Sequence, residues 1–182
     1  MVYWHEDGLL IRDLEERDAQ PLAEAEQAQG WHTEPEKFLM HLRDRAEGRA
    51  VALAAECDGK AVGYINVYFQ VPKGPFAGKG LPEIVDFGVL QAYQRRGIGA
   101  RLMDAAEGIA ARLADAVCLG VGLHNGYGSA QRMYVKRGYI PDGSGVWYRG
   151  RPCTPYDTVY TNDDDLVLYL SKRLRGEKLD GQ

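Results

Sequence analysis

The chain has 182 residues, the length of one ordinary domain, and its 22 basic and 26 acidic side chains give a formal net charge of -4. Hydrophobic residues make up 45% of it and charged residues 26%, which excludes disordered, collagen-like and disulfide-scaffold proteins. The negative balance provides no chain-wide positive field, so we expect neither nucleic acid nor a membrane surface as a partner.

Four features favour a cytoplasmic protein without a metal. The longest nearly uninterrupted apolar stretch, residues 116–123, is far shorter than the ~18 residues that span a bilayer. Glu6 and Asp7 stand where a secretory signal carries basic residues. The three cysteines are widely spaced and odd in number, which is typical of reduced thiols, and the four histidines lack metal-ligand spacing.

The first half of the chain predicts two helices and a hairpin. In chain order, we expect a strand over residues 9–11, a helix over 13–29, a helix from Thr33 to Gly48, and strands over 49–57 and 60–69. Thr33 and Glu36 have the spacing of a capping box, with Pro35 in the first turn. Asp58 and Gly59 tolerate positive φ, so they predict a two-residue hairpin turn.

The second half alternates strands with helices. We expect a loop over residues 70–82, a strand over 84–89, a helix over 97–114, strands over 116–123 and 166–170, a helix over 129–137, and a loop over 141–165. This alternation indicates an α/β domain with a mixed sheet. We place that single domain at residues 1–175 and a polar tail at 176–182.

The turn between strand 84–89 and the following helix has the features of an anion site. The first N–H groups of a helix have no partner within it, and the helix dipole is positive there. Gly97 and Gly99 allow a bulky anion to approach the backbone, and Arg95 and Arg96 add positive charge. Leu102 breaks the dinucleotide-binding glycine pattern, and no Walker-type Gly-Lys-Ser/Thr sequence follows.

The sequence from Gln94 to Gly99, QRRGIG, resembles the Q/R-x-x-G-x-G/A signature of the GCN5-related N-acetyltransferase (GNAT) superfamily. The similarity extends through the Asp58-Gly59 hairpin, the segment 130–139 and the closing segment 166–174. It implies an acyl-CoA N-acyltransferase fold, with a sheet of about six to seven strands and about four flanking helices. It also implies that acetyl-CoA is the co-substrate and that no metal takes part.

The resemblance implies a set of acetyl-CoA ligands. The backbone of Phe87 and Val89 would hold the pantetheine arm. The turn would hold the pyrophosphate through Gln94, Arg95, Arg96, Gly97, Ile98, Gly99 and Ala100. The family also has an asparagine that contacts the cofactor, three residues before the alanine that corresponds to Ala130. This chain has Tyr127 at that position, so the nearest asparagine, Asn125, is the candidate for the contact.

Acetyl transfer needs a neutral amine, but an alkyl amine of pKa about 10.4 is almost fully protonated at pH 7. The family's general acid corresponds to Tyr134, whose phenol can protonate the departing thiolate. Its glutamate base corresponds to Val85, which cannot accept a proton, so Asp86 and Glu83 are the candidates, with a water relay as an alternative. Strand alternation places Asp86 and Glu83 on opposite faces.

The acceptor is expected to be an amine, with a small molecule slightly favoured. A cationic amine could be enclosed by aromatic and acidic residues: Trp147, Tyr148, Tyr156, Tyr160, Asp157 and Asp163 to Asp165. The acidic run is also explained as a solvated strand cap. We expect an N-acetyltransferase that works by direct attack. A protein lysine or N-terminal acetyltransferase, a non-catalytic acyl-CoA-binding module and a homodimer remain open.

Overall fold

The computed structural model describes residues 1–156 and 158–174, so Asp157 and the predicted tail at 176–182 lie outside the described residues. The described elements are β1 (Val2–Glu6), β2 (Leu9–Asp13), α1 (Glu16–Ala28), α2 (Pro35–Ala46), β3 (Ala50–Cys57), β4 (Lys60–Tyr68), β5 (Glu83–Val89), α3 (Ile98–Ala110), β6 (Ala116–Gly122), α4 (Gly128–Lys136), β7 (Ile140–Tyr148), β8 (Arg151–Pro152) and β9 (Leu166–Arg173). The predicted α/β fold with a mixed sheet and four helices is confirmed. The described residues form nine strands rather than about six to seven.

The additional strands include β1 at the start of the chain and β7, whose own sequence favours turns. β1 pairs with β2 across a turn at Asp7 and Gly8, with φ angles of 50° and 76°. β7 occupies a segment predicted mainly as loop, and it pairs antiparallel with β9, with an irregularity between Pro141 and Val146. Pairing with neighbouring strands outweighs the weak strand propensity of glycine and proline here.

The predicted hairpin is confirmed, whereas the predicted cap of α2 is wrong. β3 and β4 pair antiparallel, and Asp58 and Gly59 have φ angles of 49° and 76° at the turn. α2 begins at Pro35 with Glu34 as its N-cap, and no side chain caps it. Thr33 is buried before the helix, so spacing alone placed the cap one residue too early.

The described chain divides into two compact units. The first comprises Met1–Tyr68 and Ile84–Ile109 and contains the strand order β1-β2-β3-β4-β5. Helices α1 and α2 pack on its sheet through an apolar cluster that includes Leu22, Phe38 and Tyr64. Burial of these side chains stabilises the unit and fixes α2 beside the sheet.

The second unit comprises Phe69–Glu83 and the described residues from Ala110 onward. Its strand order is β6-β9-β7-β8, and its described pairs are antiparallel. Loop 70–82 enters the core of this unit, because Val71 and Phe76 are buried with Cys118 and Tyr169. Within the two described ranges, no helix has the length and apolar character needed to cross a membrane.

Candidate active site

The turn that precedes α3 presents unpaired backbone N–H groups. Arg95 and Gly97 have φ angles of 64° and 81°, which turn the chain sharply into the helix. The first hydrogen bond that closes onto the helix is donated by the Arg101 amide to the Gly97 carbonyl, at 3.1 Å. Among the described residues, the amides of Ile98, Gly99 and Ala100 have no acceptor, so three donors point outward from the positive end of the α3 dipole.

The two arginines of this turn are available to a ligand. Arg95 and Arg96 are exposed, and neither forms an ion pair with another described residue. The Arg96 guanidinium carbon lies 5.3 Å from the centroid of the Tyr93 ring. A Cβ built on Gly97 meets nothing within 4 Å. The donors, charges and open space together fit a diphosphate group.

β5 leads into this turn. The Val89 carbonyl accepts a hydrogen bond from the Gln94 side chain at 3.0 Å, so Gln94 closes the turn back onto the strand. The following amide, of Leu90, donates to the Val62 carbonyl of β4 at 2.9 Å. Phe87 is half-buried. β5 is therefore anchored to β4 at its end, immediately before the proposed diphosphate turn.

β5 is broken at Asp86. The φ angle of Asp86 is 49°, in the left-handed region that a non-glycine residue rarely adopts. The Asn66 side-chain nitrogen lies 3.3 Å from both the Val85 and the Asp86 carbonyl oxygens. Successive carbonyls of a regular strand point in opposite directions, so this shared donor marks a bulge-like break. The strict alternation used to place Asp86 and Glu83 therefore does not extend through Asp86.

The Asp86 carboxylate is committed to protein partners. Its Oδ2 lies 2.7 Å from Nε2 of His41, and its Oδ1 lies 3.9 Å from the Lys37 ammonium. Burial opposes the charged form, but the His41 hydrogen bond and the Lys37 charge outweigh it and hold the pKa of Asp86 below its ordinary value. Asp86 is consequently a weak proton acceptor near neutral pH.

Glu83 is in a different electrostatic environment. Burial raises the pKa of its carboxyl group to about 7, although the charge of Lys73 opposes the shift. Among the described residues, Glu83 has no hydrogen-bond or ion-pair partner. Its carboxyl group can therefore gain or lose a proton near neutral pH without breaking a contact.

Tyr134 lies on α4 and is 6% exposed. Burial, with a smaller contribution from Tyr127, raises the pKa of its phenol well above the ordinary value. Its ring centroid is 5.7 Å from that of Tyr139, and its hydroxyl has no hydrogen bond to another described residue. The phenol is therefore protonated at neutral pH and has its hydrogen free to donate.

The loop before α4 holds both Asn125 and Tyr127 in a single 3-10 turn, 125–127. Asn125 is exposed. A Cβ on Gly122 would lie 2.4 Å from the Tyr127 ring, so the tyrosine covers that glycine. Its hydroxyl donates to Asp164 at 2.9 Å. Tyr127 is thus engaged in packing this loop, whereas Asn125 retains a free surface.

The acidic run is part of the framework of its own loop. Asp163 accepts a hydrogen bond from the Tyr148 hydroxyl at 3.1 Å, and Asp164 lies 2.9 Å from Nε2 of His124. Asp165 accepts from Nε of Arg149 at 3.2 Å. These contacts favour the strand-cap interpretation over an open acidic surface.

The predicted aromatic residues do not all meet. Tyr148 and Tyr160 line a cleft of about 520 Å³ together with Arg149 and Arg151. Trp147 instead packs on Tyr169, with ring centroids 5.7 Å apart. Tyr156 is fully exposed and is not among the residues that line the cleft, and Asp157 lies outside the described ranges.

Sequence reasoning missed the polar residues around Asp86 and Tyr64. His41 and Lys37 come from α2, Tyr68 from β4 and Glu26 from α1. The available signal was His41 on the apolar face of α2, three residues after Phe38. Within residues 1–156 and 158–174, no cluster of three or more His, Cys, Asp or Glu side chains could hold a metal.

Comparison with known proteins places these features in a family context. The model of the acetyltransferase (GNAT) family matches residues 11–139. No curated protein matches the sequence. Among solved structures, Ard1 from Thermoplasma volcanium is 18% identical, with a TM-score of 0.67 and 93% of this chain and 100% of that chain covered.

Two further structures come from Salmonella typhimurium. An acetyl transferase that modifies the N-terminal serine of ribosomal protein L7/L12 is 12% identical, with a TM-score of 0.69 and coverage of 95% of this chain and 99% of that one. The protein yncA, described with its cofactor acetyl-CoA, is 14% identical, with a TM-score of 0.66 and coverage of 96% and 99%. These likenesses concern the fold.

Proposed function

The chain belongs to the acetyltransferase (GNAT) family, and from that premise we propose that this N-acetyltransferase acetylates a primary amine of a small molecule by direct attack. Acetyl-CoA is its co-substrate and supplies an activated acetyl thioester. The observation that carries the proposal is the turn before α3, where three unpaired amides and two unpaired arginines meet. No covalent enzyme intermediate is required.

The same turn is proposed to hold the diphosphate of acetyl-CoA. The amides of Ile98, Gly99 and Ala100 donate to its oxygens, and Arg95 and Arg96 compensate its charge. Gln94 and Gly97 shape the turn, as their contacts and φ angle indicate. The backbone of Phe87 and Val89 holds the pantetheine arm as an added strand would be held. For Val89, this requires the Gln94 side chain to release the carbonyl. Asn125 is a further candidate ligand.

We assign the role of base to Glu83 rather than to Asp86. A base works best when its pKa lies near the working pH, and the pKa of Glu83 is about 7. Asp86 is held below its ordinary pKa by its partners. Glu83 takes one proton from the amine, directly or through a water. The role of Asp86 is then structural, because it forms the break in β5.

Tyr134 is the proposed general acid. It donates its phenolic proton to the departing thiolate sulfur as the C–S bond breaks. Its raised pKa keeps that proton in place until negative charge develops. The proton lost by the amine and the proton gained by the thiol then balance over the reaction.

The acidic run, Asp163 to Asp165, bears on which class of amine is the acceptor. A basic peptide needs carboxylates that are free to pair with it, but Asp163, Asp164 and Asp165 already bond to Tyr148, His124 and Arg149. Asp164 and Asp165 are exposed, but each carboxylate of this described run already has a partner within the protein, which favours a small amine. Protein N-terminal acetylation is the second candidate, because a structural neighbour modifies the N-terminal serine of L7/L12. A cytoplasmic location remains a prediction.

Thiol release from acetyl-CoA tests the proposal. The amine panel contains amino acids, polyamines, aminoglycosides, and peptides with a free or a blocked N-terminus. We expect turnover with at least one small amine and little with peptides. Turnover only with free-N-terminus peptides would identify a protein N-terminal acetyltransferase. Tight acetyl-CoA binding without turnover on any amine would identify a non-catalytic acyl-CoA-binding module.

A further inference from the structure

We propose that His41 is a positioning residue for acetyl transfer, which acts by holding Asp86 and so fixing the break in β5. The inference rests on the proposed binding of acetyl-CoA along Phe87 and Val89, the residues that follow this break. His41 itself touches neither the amine nor the thioester. It acts through the backbone of the strand that would carry the pantetheine arm.

The backbone at Asp86 needs to be held. A non-glycine residue with a φ angle of 49° is strained, and such conformations persist only where surrounding contacts enforce them. Asn66 holds the break from the backbone side, through the carbonyls of Val85 and Asp86. His41 holds it from the side-chain side, through the 2.7 Å contact to Oδ2 of Asp86. Asp86 is thus held by Asn66 from β4 and by His41 from α2.

The hydrogen bonds around Tyr68 fix the donor role of the His41 ring. Tyr68 and Arg49 both donate to Asp44 and hold the pKa of that carboxyl below its ordinary value. Tyr68 has one hydroxyl hydrogen, and it is used there. The Tyr68 oxygen therefore accepts from Nδ1 of His41, 2.8 Å away.

The donor role of Nδ1 also determines how His41 and Asp86 interact. With Nδ1 already a donor, the 2.7 Å contact from Nε2 to Oδ2 needs a second proton, which the two groups share. Such a charge-assisted bond is shorter and stronger than a neutral one. The chain from Asp44 through Tyr68 and His41 therefore ends in a strong contact on the strained residue.

Polar and charged groups around the pair come from three elements. Lys37, on α2, lies 3.9 Å from Asp86 and 3.5 Å from Glu26 of α1. On the other side of His41 lie Tyr68 of β4 and Asp44 of α2. His41 is only 1% exposed, whereas the side chains of Lys37 and Asp86 are 26% and 38% exposed, so this network is partly withdrawn from water. Buried charges of this kind add little net stability compared with apolar packing, which favours a geometric role.

Glycine provides a specific test, because it adopts positive φ without strain. We compare His41→Leu, Asp86→Gly and the double variant by calorimetric titration with acetyl-CoA and by separate measurement of kcat and KM. We expect His41→Leu to raise the Kd and KM for acetyl-CoA by about 10-fold, since a strained backbone left unheld relaxes. In the double variant, glycine should restore both to within about 3-fold of wild type.

Controls separate positioning from loss of stability. Leu22→Ala opens a cavity in the same unit away from Asp86, and it should lower the melting temperature without changing the Kd for acetyl-CoA. Tyr68→Phe removes the acceptor of Nδ1 and should change the Kd in the same direction as His41→Leu, by a smaller factor. It serves in place of His41→Leu if that variant does not fold.

Four outcomes decide the inference. Wild-type acetyl-CoA affinity in His41→Leu, or additive losses in the double variant, would overturn it. Recovery by glycine would support it even if no amine is ever turned over, because the calorimetric readout is independent of catalysis. Failure of the wild-type protein to bind acetyl-CoA would overturn both this inference and the proposed function.

Discussion

Gly88 lies directly against Tyr64: a Cβ on Gly88 would be 2.7 Å from the Tyr64 hydroxyl oxygen. Tyr64 cannot move away easily. Its hydroxyl donates to Glu26 at 2.6 Å and accepts from the Lys37 ammonium at 2.7 Å. Since Gly88 separates Phe87 from Val89, this contact fixes the proposed acetyl-CoA strand against the core of the first unit.

Gly88→Ala is therefore expected to be destabilising. Overpacking of this kind costs about 1–3 kcal/mol, which urea unfolding should detect, and the Kd for acetyl-CoA should rise. The matched control is Gly108→Ala in α3, where a Cβ meets nothing within 4 Å. That change should stabilise the protein by about 0.5–1 kcal/mol. Equal stability of the two variants would contradict the role assigned to the Tyr64 contact.

Removing either turn arginine should weaken binding of the diphosphate. We expect Arg95→Ala and Arg96→Ala each to raise the Kd for acetyl-CoA about 5-fold, with a smaller difference at high salt. Acetyl-pantetheine lacks the diphosphate, so its affinity should not change in either variant. Arg17→Ala, an exposed position on α1, is the control. An equal loss of affinity for both ligands would place the arginines elsewhere than on the diphosphate.

Replacing Glu83 should remove the pH dependence of the reaction. In the wild type, kcat/KM should rise through pH 7 as the Glu83 carboxyl group, of pKa about 7, loses its proton. Glu83→Gln should lower kcat about 100-fold and abolish that rise. If the rise persists in Glu83→Gln and disappears in Asp86→Asn, Asp86 is the base.

Glu83 should also affect stability as the pH changes. Its pKa is raised from 4.5 to about 7 in the folded protein, so the folded state binds this proton more tightly than the unfolded state. That contribution is complete below pH 4.5 and is lost as the pH rises through 7. The stability of Glu83→Gln relative to wild type should therefore increase between pH 5 and 8. Exposed Glu16→Gln should show no such trend in urea unfolding.

Tyr134→Phe should lower kcat with little change in the KM for acetyl-CoA, because the phenol is proposed to act only as the thiolate departs. A fall of about 10- to 100-fold is expected for loss of a general acid. Tyr139→Phe changes a neighbouring buried ring, 5.7 Å away, and should leave kcat unchanged. Steady-state thiol release measures both. An unaltered kcat in Tyr134→Phe would remove its role as the acid.

Local patterns predicted much of this architecture. The Asp58-Gly59 turn follows from the φ tolerance of two adjacent residues, and the hairpin is confirmed. The unpaired donors before α3 follow from the backbone geometry of any helix start, with glycine and arginine beside it. Strands β7 and β8 could not be predicted in this way, because their glycines and prolines favour turns until a partner strand is present.

Some features of the candidate site likewise follow from local sequence, and others arise only from packing. The sequence alone determined the class of fold, the candidate anion-binding turn and the pair of candidate bases, because each depends on residues a few positions apart. Only the tertiary structure distinguished Glu83 from Asp86, since burial of one carboxylate and the contact of the other with His41, 45 residues away, arise from packing. The pKa of a carboxyl group depends on its surroundings, and sequence neighbours do not specify them.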